Sequence, residues 1–511
     1  MQNKTLICVL IFYVGSIIYS NSFQVPFSLD DYSMIVYNPI IKNFQDIRGI
    51  FRFDPTRFIT HLSFALQYHY HGLRVFWYHL VNLILHCFNA YLCYILVQLT
   101  LKLPRTGEFP TLKYASWIPF FGALIFLAHP IQTQAVIYIV QRSVLLAILC
   151  YFLALILFIR LRLQFKWMTY VLVWLVILLG AMTKPIIVSL PLMIFLYECY
   201  FFDWSWKYFK KNFYLYLPYL ILLLIVPFFL MCHMLNYLSE PFDLSKLTYA
   251  SRMTGEISRG QYLLTESRVI LTYLRLLWLP INQSFDYSYP LSKGLLHWNT
   301  FGSFLGVLTL LYGAFFFYKR NRWLSFSLGW FFISLVVESS IFPLPDVIFE
   351  HRLYMAVVGF AFFVCCLFSF AINTQRLYIF CFLVIILSYS ILTYSRNLIW
   401  ADPIGSAQDA LKKAPHKARL HNHLGWLYQS KKLFTLAEIE YTKALNLDNN
   451  DPQYYLSLAD LYSQQAKYLE AIEQTKKALR LRPGLVNVQI KLEELYYLSG
   501  QSNKPLRSLR K

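Results

Sequence analysis

The chain has 511 residues, 58% of them hydrophobic and 14% charged, where a soluble domain carries about 25% charged residues. That composition excludes an ordinary soluble globular protein and predicts a chain that crosses a membrane many times. The net charge of +20 is scattered between apolar runs and no basic domain stands alone, so it reads as cytoplasmic loop charge and contact with anionic membrane lipid, not as a nucleic-acid surface.

The nine cysteines, Cys8, Cys87, Cys93, Cys150, Cys199, Cys232, Cys365, Cys366 and Cys381, all lie in apolar runs. They read as small buried hydrophobes and not as disulfides or metal ligands. Aromatic residues make up 19% of the chain, which suits interfacial belts and a cavity that grips sugar rings or a polyprenyl chain.

In chain order, Leu6–Ile18 reads as a retained first span, because no small-x-small cleavage site follows it. Residues 21–75 form a polar outer loop, whose end, Arg57–Tyr70, has apolar residues at helical spacing and predicts a helix lying at the interface. Spans are predicted at roughly 76–99, 115–128, 134–159, 167–182, 186–202, 213–235, 300–318, 323–337, 353–372 and 376–394. Segment 262–280 carries Glu266, Arg268 and Arg275, which leave too short a clean apolar stretch to cross about 30 Å of hydrocarbon.

Loop charge sets the parity. Lys102/Arg105/Lys113, Arg160/Arg162/Lys166, Lys207/Lys210/Lys211 and Lys319/Arg320/Arg322 belong in the cytoplasm by the positive-inside rule. Between Lys211 and Lys319 the chain then crosses twice, so 262–280 is expected to be re-entrant or interfacial. The result is about eleven crossings, with the N-terminus inside and the C-terminus outside. Five polar stretches share the outer face: Asp30-Asp31, His129–Gln134, Thr183-Lys184, Asp286-Tyr287 and Glu350-His351-Arg352.

After Trp400 the pattern changes. Leu424, Gly425 and Tyr428 recur as Leu458, Ala459 and Tyr462, then as Leu492 and Tyr496, at a period of 34 residues (458 − 424 = 34; 492 − 458 = 34). This is the tetratricopeptide period of paired helices. It predicts repeats at 418–451 and 452–485, a partial one at 486–508, and a peptide-binding groove. The expected fold class is thus all-α, a polytopic helix bundle over 1–398, a linker at 399–417 and a short solenoid over 418–511.

Several residues on the outer face suit chemistry. One of the neighbouring carboxylates Asp30 and Asp31 suits a base that takes an acceptor proton while the other tunes it; a solvated turn or helix cap is the plain alternative. Arg142 lies inside a span, where a charge is costly and is usually functional or ion-paired. Lys184 sits at a membrane edge, where it either snorkels or meets a lipid phosphate. His351 and Arg352 precede a helix N-terminus, a placement that suits a phosphate. Arg268 and Asp286 belong to the doubtful segment and its exit loop, and irregular backbone at membrane depth usually lines a cavity. His351 has no partner histidine at metal-ligand spacing.

Five segments together resemble the transmembrane and tetratricopeptide-repeat protein O-mannosyltransferases and their bacterial relatives, within the GT-C glycosyltransferase superfamily. They are Phe27-Ser-Leu-Asp-Asp31, Tyr78-His-Leu-Val-Asn-Leu-Ile-Leu-His86, Ala128-His-Pro-Ile-Gln-Thr-Gln-Ala-Val136, Phe349-Glu-His-Arg-Leu-Tyr354 and Arg396-Asn-Leu-Ile-Trp400. The resemblance implies an inverting transfer of a sugar, mannose first, from dolichyl- or undecaprenyl-phosphate to a Ser/Thr hydroxyl of a protein.

By position, Asp30 or Asp31 would be the base. Arg142, Lys184, Arg352, His351 and Arg268 would lie near the donor phosphate, and His129, Gln134, Asp286 and Glu350 would line the substrate cavity. The repeats would present the acceptor protein. No cofactor is required by this scheme, although it leaves room for a divalent metal. Family members commonly have His and Glu where this chain has Gln132 and Gln134, and Ser-Lys-Glu where it has Thr183-Lys-Pro185. The short repeat array favours a bacterial inner membrane with a periplasmic active face over the endoplasmic reticulum. The rival readings are a transferase that modifies lipid or envelope glycan, a non-catalytic membrane scaffold and, as the weakest, a transporter.

Overall fold

The computed structural model describes residues 4–239, 257–339, 343–344, 346–484 and 486–501, so the last part of the expected third repeat, 502–508, lies outside the described residues. The described residues are helical throughout, with no strand among them. They divide into two units. The first holds Met1–Tyr237, Ile257–Gln283 and Leu291–Ala401; the second holds chiefly Ser284–Pro290 and the chain from Asp402 onward.

In the first unit, α1 (Lys4–Ile18) is followed by α2 (Ile47–Phe53) and α3 (Phe58–His71) of the outer loop. Asp46 and Asp54 start the loop's helical turns as caps, accepting from the Gly49 and Thr56 amides at 2.8 and 2.9 Å. The loop has its own small core, in which Phe27, Ile35, Ile41 and Ile50 pack with Phe64, Tyr78 and Ile139. It is therefore a folded cap and not a flexible connection.

The helices then follow as α4 (Val75–Thr100), α5 (Ile118–Ala128), α6 (Thr133–Ile137), α7 (Arg142–Leu163), α8 (Trp167–Ala181), α9 (Leu190–Phe201), α10 (Trp206–Lys211) and α11 (Phe213–Ser239). After them come α12 (Arg259–Trp278), α13 (Trp298–Arg320), α14 (Arg322–Leu335), α15 (Ala356–Ala371) and α16 (Gln375–Ala401).

Among the described residues five helices are long and apolar enough to cross a membrane, or six if the bent pair Ile118–Ala128 and Pro130–Ile137 is one span. Four shorter apolar helices, Lys4–Ile18, Trp167–Ala181, Pro185–Phe201 and Ala356–Ala371, coincide with further expected spans. Only 6% of the apolar window of α13 is buried, and Phe315 and Trp298 are almost fully exposed, as expected of a helix whose solvent is lipid. The doubtful segment forms α12 and is not among the helices apolar enough to span. The Tyr262 hydroxyl near its start donates to the Glu338 carbonyl beyond the end of α14 (2.8 Å), and the Leu277 carbonyl at its other end accepts from His129 (3.0 Å).

In the second unit, α17 (Pro403–Lys413) occupies much of the stretch expected as linker and packs Ile404, Ala407 and Leu411 on Leu424 and Leu427. The repeats then run as α18 (Ala418–Ser430), α19 (Phe434–Leu447), α20 (Pro452–Gln464), α21 (Tyr468–Leu481) and α22 (Val486–Leu498). Gly425 is required by packing: a Cβ there would lie 2.7 Å from the Tyr441 ring. One period on, at 459 and 475 (425 + 34 and 441 + 34), the pair is Ala459 and Thr475, so a larger residue appears on one helix where a smaller one appears on the other.

Candidate active site

Ser28 to Asp31 form a tight turn in which Leu29 has φ of +49°. A branched residue in the left-handed region costs about 1–2 kcal/mol and persists only where the surroundings hold it there. The restraint here is Asp31. It is 1% exposed; its Oδ1 accepts from the Val140 amide at 2.8 Å and its Oδ2 from the Ser28 amide at 3.1 Å. Burial pushes its carboxyl up to about 8, against the two backbone donors, which favour the carboxylate. Asp30 differs: the residue is exposed, and its amide donates to the Tyr138 hydroxyl at 2.9 Å. Tyr138 in turn stacks on Trp400.

The break after α5 follows from His129-Pro130. Proline has no N–H to continue the helix, and the residue before it is driven to extended backbone, here φ −65° and ψ 127°. His129 secures the 49° bend: its Nδ1 accepts from the Ile131 amide (3.1 Å), and its Nε2 donates to Leu277. Both ring nitrogens are thus engaged, in a fully buried setting.

Arg142 is 1% exposed at the start of α7. Its Nε donates to Asn82 (2.8 Å), Nη1 to Ser63 (3.4 Å) and Nη2 to the Tyr78 carbonyl (3.2 Å), and its guanidinium lies 4.5 Å from the Phe64 ring centre. It bonds the outer loop to the second span.

The late motif is tied in at every residue. Glu350, completely buried, pairs with Arg396 at 2.6 Å and accepts from Gln283 at 3.2 Å. The His351 amide and Nδ1 both meet Gln134 Oε1, at 2.8 and 3.1 Å. Burial, with Lys184, Arg352 and Arg57 nearby, holds the His351 imidazole well below its ordinary range, so the ring is neutral. Arg352 donates to the Val347 and Asp346 carbonyls (2.9 and 2.6 Å). The Tyr354 hydroxyl bridges His86 Nδ1 (2.8 Å) and Asn89 (3.1 Å), and its carbonyl accepts from Gln132 (3.4 Å).

Lys184 Nζ lies 3.0 Å from Glu338 Oε1, and the Met182 carbonyl beside it accepts from the Ile59 amide of the outer loop (3.0 Å). Arg268 is half-buried on α12. Asp286 is placed elsewhere: it belongs to the second unit, where Lys417 pairs with it and Arg419 grips both its oxygens at 2.8 and 3.0 Å.

The structure therefore brings Asp30, Asp31, His129, Gln134, Arg142, Lys184, Arg268, Glu350, His351 and Arg352 into one unit. Within it, hydrogen bonds link the second, third, fourth and fifth of those sequence segments, and the first bonds to Tyr138 and Val140 just past the third. Among the described residues no group of three His, Cys, Asp or Glu side chains is placed to hold a metal ion. The sequence reading named Glu266 only as a charge that breaks segment 262–280, and did not pick out Glu338 or Ser339. A lone Glu on an amphipathic helix has no motif, and the available signal was a charge in a chain with only 26 acidic residues.

The tetratricopeptide repeat family matches residues 418–451 and 452–484. Over 450 residues, 83% of this chain, the sequence is 25% identical to the Caenorhabditis elegans protein O-mannosyl-transferase F38B6.6. It is also 34% identical over 150 residues to the human protein O-mannosyl-transferase TMTC1, and 28% over 190 residues to the Drosophila melanogaster protein O-mannosyl-transferase Tmtc1, or 27% and 35% of this chain. The matches span 60% of the worm protein's length, 16% of the human one and 21% of the fly one. No solved structure matches the chain. By its motifs, its repeats and these relatives, the chain resembles the protein O-mannosyltransferases that join membrane spans to tetratricopeptide repeats.

Proposed function

We propose that the chain transfers a sugar, mannose first, from a polyprenyl phosphate to a Ser/Thr hydroxyl of a protein at the outer face of the membrane. Asp30 is the base and Asp31 is its anchor. In a single inverting displacement, the acceptor oxygen bonds to the sugar's anomeric carbon while the bond from that carbon to the phosphate oxygen breaks. The hydroxyl proton passes to Asp30, and the lipid phosphate leaves with the electron pair. Lys184 and Arg352 face the leaving phosphate, where fixed cations stabilise developing charge. Arg142 is assigned to holding the outer loop, because its guanidinium bonds Ser63 of that loop as well as Asn82 and Tyr78 of the second span. The repeats present the acceptor.

The observation that carries this reading is the contrast inside the acidic pair: Asp31 is clamped by Val140 and Ser28 and leaves Asp30 as the exposed carboxylate. The contacts of both ends of α12 with residues assigned to the outer side support that topology. The outer side is periplasmic in a bacterial inner membrane and lumenal in the endoplasmic reticulum.

The test is transfer of radiolabel from polyprenyl-phosphate mannose in membrane vesicles. Asp30→Asn is expected to lower transfer to protein at least a hundredfold with normal expression, the scale of a lost general base. Transfer that survives in Asp30→Asn overturns the assignment of the base. A wild type that labels no protein with any lipid-linked sugar overturns the function.

A further inference from the structure

Glu266 on α12 is 1% exposed, and among the described residues neither carboxylate oxygen has a hydrogen-bond partner. Glu338 and Ser339 lie beside it, and Glu338 Oε2 and Ser339 Oγ are likewise buried without one. Tyr262 stands one turn away, but its hydroxyl is spent on the Glu338 carbonyl (2.8 Å). Burying a carboxylate without donors is costly, so a group of such atoms marks a place where a ligand completes the hydrogen bonding.

The neighbours narrow the ligand. Lys184 reaches Glu338 at 3.0 Å, and Arg352 faces Glu266. A purely cationic ligand would be repelled by Lys184 and Arg352, and a bare phosphate would be repelled by two carboxylates. A ligand with hydroxyl donors at one end and a phosphate at the other suits both sets.

We propose that Glu266, with Glu338 and Ser339, accepts and orders the hydroxyl groups of the donor sugar, and so selects the sugar, while Lys184 and Arg352 face its phosphate. This rests on the proposed transfer from a lipid-phosphate sugar and adds the part of the protein that reads the sugar. Buried acceptors built for hydroxyls discriminate strongly, because a sugar that presents no donor leaves them unpaired.

The test is equilibrium binding to the full chain in detergent. The probes are a short-chain prenyl-phosphate mannose and the same prenyl phosphate without sugar. Wild type is expected to bind the sugar-bearing probe at least tenfold more tightly. Glu266→Gln is expected to lose most of that preference while its affinity for the sugar-free probe stays within about twofold, which also shows that the variant is folded. An unchanged preference in Glu266→Gln overturns this inference and leaves the transfer reading standing. Equal binding of the two probes by wild type does the same. A wild type that binds neither probe overturns both. If Glu266→Gln binds neither, Ser339→Ala decides: a preference reduced threefold or more supports the inference, and an unchanged one overturns it.

Discussion

The two units are held together in opposite ways. In the first, decisive hydrogen bonds join residues far apart in sequence: His86 to Tyr354 across 268 positions, Gln134 to His351 across 217, and Thr393 to the Ala128 carbonyl across 265. In the repeats, apart from the grip of Lys417 and Arg419 on Asp286, they join near neighbours: Gln429 to Tyr441 across 12 and His421 to Glu440 across 19. A solenoid stacks each pair on the next, so its stability is close to a sum of local terms. The bundle's outer end instead depends on a few buried polar contacts, each of which leaves an unpaired group when broken.

Breaking the Glu350–Arg396 pair tests that contrast most severely. Glu350→Gln leaves a buried guanidinium without its carboxylate, and among the described residues Arg396 Nε and Nη1 already have no partner. The expected cost is about 3–5 kcal/mol, and Glu350→Gln combined with Arg396→Met should recover much of it. Thermal unfolding of the full chain in detergent measures both.

Tyr354→Phe should cost less, about 1–3 kcal/mol, by stranding His86 and Asn89. Hydrogen exchange should then rise in the α4 and α15 segments together while the repeats keep their protection. A response confined to α15 would mean that the long-range bridge does not couple the spans.

Asp31 adds a pH dependence. Its folded carboxyl, near 8, lies above its unfolded value near 4, so the folded state holds the extra proton in between. Stability from this group is therefore complete below about pH 4 and is lost as pH rises through 8, at about 1 kcal/mol per pH unit. Asp31→Asn should flatten the wild-type fall in melting temperature between pH 5 and pH 8.

In the repeats, Gly425→Ala should cost about 1 kcal/mol by pressing on Tyr441. Hydrogen exchange should change only around α18 and α19; a change reaching the outer loop would undo the contrast drawn here.

Read alone, the sequence determined what depends on local pattern: the all-helical class, the apolar helices, the break at His129-Pro130, and the repeats, whose 34-residue period is itself the structure. It also picked out the acidic pair and the late Glu-His-Arg motif. Which aspartate is exposed was decided only by the tertiary structure, because the clamp on Asp31 is the Val140 amide, 109 positions away. Likewise the sequence left the partners of Arg142 and Glu350 open, and Asn82 and Arg396 arrive from other spans. Glu266, Glu338 and Ser339 carry no shared motif; only folding places them side by side. Local pattern is written along the chain, whereas burial and pairing belong to three-dimensional neighbours that the chain supplies from afar.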